Sequence, residues 1–171
     1  MHLTLHAVTT DAEFKDIIHT ERIAYETPYN AVFTLFCPVL TTRSEAIAEA
    51  QQRQLQWHKG DPSSHWIKVV DDDKEGEVVG AALWHVYHES PYAKPPEHEM
   101  TCYWWPEGPK RVMADQAMGQ MMGPRIERMN KPHLRMYTCP FHHKIVIVKS
   151  FPSSLSAKFY SLCKYSLHLS A

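Results

Sequence analysis

Three groups of residues in this chain have types and spacings that could do chemistry. His85-x-x-His88-Glu89 is the densest knot of ligand-type side chains among its 12 histidines. Residues three apart on a strand point to opposite faces, and the helical zinc spacings His-Glu-x-x-His and His-x-x-Glu-His do not occur. Cys139-x-x-His142-His143 also gathers ligand types, but no second pair completes a tetrahedral site. These spacings support surface or groove histidines, and no metal is expected. Glu89, Glu97 and Glu99 follow a strand and could take a proton from an ammonium group; solvated surface carboxylates would look the same. Tyr103-Trp104-Trp105 precedes Pro106 in a loop, where large aromatics either line a pocket or pack over a sheet. With Trp84 they make Trp84, Tyr103 and Trp104 the candidate pocket residues. No Ser-His-Asp pattern and no reactive-cysteine context is visible.

These groups need elements to position them. Leu3 and Leu5 alternate with polar residues and predict a strand over about 2–8. Thr10 or Asp11 can cap a helix over about 11–26 that turns Phe14, Ile17 and Ile18 inward and ends at Pro28. Asn30–Cys37 predicts a short helical turn before Pro38. Thr41–Lys59 predicts a long amphipathic helix that stops at Gly60. Trp66–Val70 and Glu77–Tyr87 read as two strands joined by the acidic turn Asp71–Gly76, itself most simply a solvated loop. The prolines at 91, 95, 96, 106 and 109 make the next stretch a loop. Met113, Ala117, Met121 and Ile126 follow helical spacing over about 110–129, where Pro124 should kink or split the helix. His133–Phe141 predicts another strand, and Ile145–Val148 could be one more. The order predicts an α/β (α+β) fold with a mostly consecutive sheet.

Composition bounds the partners. With 44% hydrophobic residues the chain can bury a core, so global disorder is excluded. A pI near 6.9 provides neither a basic field for nucleic acid nor a polybasic membrane patch. The longest apolar runs fall far short of the roughly 20 residues that span a bilayer, and no signal peptide is visible. Four widely spaced cysteines without a CxxC fit free thiols in a reducing cytoplasm. Total charge is −1, but residues 1–127 carry −8 and residues 128–171 carry +7 with no acidic residue.

Three segments together resemble fungal members of the GNAT N-acetyltransferase superfamily. They are Leu3–Tyr25, the stretch Trp66–Trp84 with its "VVDDD" strand end and "GEVVGAALW" return strand, and Arg125–Leu134 ending Lys-Pro-His-Leu. The resemblance covers about residues 1–138 within a domain of about 1–149, and its motifs are moderately specific. It implies a mixed sheet flanked by helices and acetyl transfer from acetyl-CoA, as co-substrate, to an amine of a small molecule or peptide. It also implies that Cys139 and Phe141, with Tyr137 next to them, meet the pantetheine arm, and that a base such as Glu89 deprotonates the acceptor.

The resemblance stops where the family's Gln/Arg-x-x-Gly-x-Gly/Ala phosphate loop is due. That loop captures pyrophosphate with unpaired backbone amides and a helix N-terminus, yet no glycine follows Gly123. Gln120–Arg125 imitates the pattern but lies within a helical segment before the strand. Arg135-Met136-Tyr137 can be encoded by CGT-ATG-TAC, which contains the intron-like start GTATGT. A retained intron or frameshift would explain a Ser-rich tail over 150–171; a selected, divergent tail is the alternative. The sequence thus leaves open an incomplete fold with doubtful activity, which would self-associate, and a non-catalytic remnant or interaction module.

Overall fold

The computed structural model describes residues 2–27, 29–93 and 101–138. The expected sites Glu97, Glu99, Cys139, His142 and Phe141, the strand at 145–148 and the tail at 150–171 lie outside these residues. Within them, β1 (Leu3–Ala7) leads to α1 (Phe14–Glu26), α2 (Ala31–Phe36) and α3 (Arg43–Gly60). The hairpin β2 (Ser64–Asp71) and β3 (Glu77–Tyr87) follows, then α4 (Pro109–Arg128) and β4 (His133–Thr138). The sheet runs β1-β2-β3-β4 in sequence order. A mixed sheet is expected from the resemblance; the three described pairings are all antiparallel.

Local chemistry sets the boundaries. A 3-10 turn at Asp11–Glu13 opens into α1, with Glu13 Oε2 accepting from the Thr10 amide at 2.7 Å. Asn30 Oδ1 accepts from the Val32 and Phe33 amides and starts α2. Thr42 and Glu45 form a reciprocal capping box on α3. The β2–β3 turn closes through Glu75 and Gly76, both at positive φ, the left-handed region that Gly adopts without penalty. Pro124 does not split α4, which is continuous from Pro109 to Arg128. The proline deletes only the one hydrogen bond its own N–H would give, and the flanking turns carry the helix through it.

One core lies between the sheet and the helices α1–α3. Phe14, Ile17 and Ile18 of α1 meet Phe33, Cys37, Ala50, Trp66 and Ala81, and Phe14 sits edge-on to Trp66 with centroids 5.7 Å apart. Arg22, buried, staples α1 to the end of α2: Nε donates to Glu26 at 2.6 Å and Nη1 to the Cys37 carbonyl at 3.1 Å. A second cluster joins Ala114 and Met118 of α4 to Cys102, Leu35, Trp104 and Trp105. No described helix is long and apolar enough to cross a membrane.

Candidate functional site

The sheet face under α1–α3 continues past the core into a cavity of about 670 Å³. Its floor comes from two cross-strand pairs, Ser64 opposite His85 and Trp66 opposite Leu83. Its walls come from α1 and α2 (Tyr25, Phe33, Phe36), α3 (Arg53, Trp57, His58), α4 (Met118, Met121, Arg125) and the loop carrying Tyr103 and Trp104. Most of this surface is apolar or aromatic, with a few polar groups at fixed positions, as in small-molecule sites generally.

The aromatic loop is held, not merely collapsed. The indole N–H groups of Trp104 and Trp105 both donate to the Leu35 carbonyl, at 2.7 and 3.0 Å. Trp57 Nε1 donates to the Tyr103 hydroxyl at 3.1 Å, and Trp104 packs edge-on against Trp57 and Tyr103. Packing and pocket lining, alternatives at the level of sequence, are here the same structure.

At one end of the floor stands a polar triplet. α3 ends at Asp61, whose Oδ1 accepts from Ser63 N at 2.9 Å and Ser63 Oγ at 2.6 Å. His85 Nδ1 lies 3.2 Å from Asp61 Oδ2 and 2.9 Å from Ser63 Oγ. The residue types are those of a hydrolase triad, but serine and carboxylate both address the same ring nitrogen. No Ser–His–Asp relay exists here, since a relay needs the two on opposite nitrogens. Donation from Nδ1–H to the carboxylate fixes the tautomer and places the basic lone pair on Nε2. Burial lowers the His85 pKa from its ordinary value of 6.5; Asp61 works against this, while Arg135 adds to it. His85 is thus a neutral base near pH 7. His58, whose Nδ1 is 2.9 Å from Ser64 Oγ, is lowered likewise by burial and by His65.

The sequence candidates distribute unevenly. Tyr103 and Trp104 line the cavity; Trp84 does not, because it pairs with His65 on the opposite face of the hairpin from His85. Glu89 is exposed beyond the end of β3 and does not line the cavity. Tyr137 lies in β4, the edge strand among the described residues. Among the described residues no group of three or more His, Cys, Asp and Glu is arranged to hold a metal. Sequence reasoning singled out neither the Asp61–His85 pair nor Arg53. The one available signal was Asp61-Pro62-Ser63, a side-chain-capped turn directly before a strand whose partner carries His85.

The sequence matches no protein-family model, and no curated protein matches it significantly. A solved structure with a similar chain course is described as histone acetyltransferase HPA2 and related acetyltransferase from Corynebacterium glutamicum. It is 18% identical, with 94% of this chain and 71% of that chain covered and a TM-score of 0.47. At that score the likeness carries no argument about what this chain does.

Proposed function

We propose that this chain has an N-acyltransferase site of GNAT type, in which the cavity holds a primary amine of a small molecule and His85 removes its ammonium proton. The observation that supports this reading is the Asp61-oriented, neutral imidazole at the floor of an otherwise apolar chamber. A general base works best with a pKa near the working pH and with its basic atom fixed. His85 replaces Glu89 as the base in this reading, while Tyr103 and Trp104 remain pocket residues. Acetyl-CoA, by sequence resemblance, would supply the acyl group. As the edge strand among the described residues, β4 offers the backbone groups that a pantetheine arm can pair with, and Tyr137, Cys139 and Phe141 are the residues proposed to meet it.

A second reading, a non-catalytic relative acting as an interaction module, is favoured by the lack of any glycine after Gly123. Losing two or three charge-assisted amide contacts to the pyrophosphate, about 1.5–3 kcal/mol each, would weaken cofactor binding by at least about a hundredfold. Calorimetry with acetyl-CoA, followed by mass spectrometry of a panel of primary amines, separates the two. The acyltransferase reading expects an acetylated amine and a loss of about a hundredfold or more in kcat/KM for His85→Gln. No acetyl-CoA binding and no product, or full activity of His85→Gln, would end it. Self-association through the sheet edge is expected under the second reading and is visible in the sedimentation of the purified chain.

A further inference from the structure

Arg53 of α3 is a buried cation in the wall of this cavity, 7% exposed. Its Cζ lies 5.6 Å from the Trp57 ring centroid and 5.0 Å from that of Trp104. Nη2 donates to the Phe36 carbonyl oxygen and makes a long, 4.0 Å contact to Cys37 Sγ. Among the described residues Nε has no hydrogen-bond partner. Among the described residues no carboxylate lies within ion-pair distance of it, whereas the other buried arginine of the helical layer, Arg22, is paired with Glu26 at 2.6 Å. Arg125 lines the same chamber, and among the described residues its guanidinium makes one hydrogen-bond contact, to Met122 Sδ at 3.6 Å.

A guanidinium removed from water needs an anion or a full set of acceptors, and aromatic faces compensate only in part. The acids of the lining are already engaged: Glu21 accepts from Gln54 at 2.8 Å, and Asp61 serves Ser63 and His85. Resting on the reading above that the cavity holds the acyl acceptor, the geometry points to its class: a small amine with an apolar body and a carboxylate at its other end, held by Arg53. A planar monoanion suits a buried guanidinium, whose N–H fork matches the two oxygens of a carboxylate. Among the described residues of the lining Arg53 is joined by Arg125 and by no lysine, so the chamber offers two guanidinium cations to an anion. Polyamines and lysine-rich peptides are disfavoured, because they would set further cations beside Arg53 and Arg125.

The experiment uses hydrocinnamate and its neutral amide, hydrocinnamamide, as matched probes by calorimetry on the full chain. The acid should bind tighter than the amide by tenfold or more, as a charge-assisted fork contact requires (on the order of ten- to a hundredfold). Arg53→Met should erase the preference, and Arg53→Lys should retain part of it; if Arg53→Met does not fold, the wild-type comparison and Arg53→Lys decide. Equal affinity for acid and amide, or binding of neither, overturns the inference. So does displacement of hydrocinnamate by acetyl-CoA, which would assign Arg53 to the phosphates. In parallel, acetylation of aminomethylbenzoate is compared with that of its amide and of putrescine. A carboxylate preference in binding without acetyl transfer sinks the acyltransferase reading and leaves this inference standing; acetyl transfer indifferent to the carboxylate does the reverse.

Discussion

Replacing Asp61 by Asn should make His85 a weaker base, not a stronger one. Burial is the largest influence on His85 and lowers its pKa, and Asp61 is the chief group acting in the other direction. The size of the effect follows from the geometry. The charges are 3.2 Å apart, with the Asp61 side chain 40% exposed and that of His85 12% exposed. Coulomb's law at that distance in a water-like dielectric gives about 1.3 kcal/mol, and measured exposed pairs fall at about 0.2–1 kcal/mol. That energy is taken from the charged imidazolium, so the pKa of His85 should fall further in Asp61→Asn. The assay is an NMR titration of the histidine ring signals, with His85 identified by its disappearance in His85→Gln. Wild-type His85 should titrate below 6.5 and the variant lower still. The acid limb of kcat/KM should move the same way, while the rate above it drops because the tautomer is no longer fixed. A wild-type value above 6.5, or an upward shift on losing Asp61, would refute the account of the site as a buried imidazole oriented by a carboxylate.

Other consequences are testable without knowing the substrate. Phe14→Ala, which removes a ring 1% exposed and packed on Trp66 and His58, should cost about 3–5 kcal/mol in urea unfolding; a loss below about 1 kcal/mol would contradict the core. His58, His65 and His85 are all held below 6.5, mainly by burial. The unfolded chain therefore binds more protons as the pH falls below about 6.5, and the melting temperature should decline there rather than at higher pH. Glu13 adds a separate, more acidic phase: Lys68, 2.8 Å away, holds it at about 2 against 4.5, so its contribution is complete above 4.5 and lost as the pH falls toward 2. Burial pushes the Cys37 thiol up to about 12 and Cys102 up to about 11. Alkylation mapped by mass spectrometry near pH 8 should leave both unmodified in the native chain; rapid labelling of Cys37 would show that the α2–α3 core opens.

The fold was legible where local chemistry decides it. Thr42 with Glu45, Gly60 and the Gly76 turn mark ends whose causes lie within four residues of the boundary, and α3 and β3 fall almost where the pattern puts them. The split expected at Pro124 does not occur, because a proline's local cost is readable in sequence, whereas the packing of Ala114, Met118 and Met122 that holds α4 together is not.

The site was harder for a reason of parity. Trp84 and His85 are adjacent, and the register of the hairpin decides which of them faces the helices. That register pairs Ser64 with His85 and Trp66 with Leu83, and Trp66 must turn inward because Phe14 packs on it. Once Trp66 is in, Leu83 and His85 are in and Trp84 is out; a one-residue slip would have exchanged them. Asp61 reaches His85 for the same reason, since the turn that ends α3 delivers it three residues before the start of the strand whose partner carries the imidazole. Arg53 was hidden differently. A charged residue within an amphipathic helix predicts a solvent face, and only the arrival of Trp104, 51 positions later and pinned to Leu35, closes over it. The base, its orienting carboxylate and the buried cation are each ordinary in sequence, and become chemically significant only through contacts that three separate elements make across the cavity.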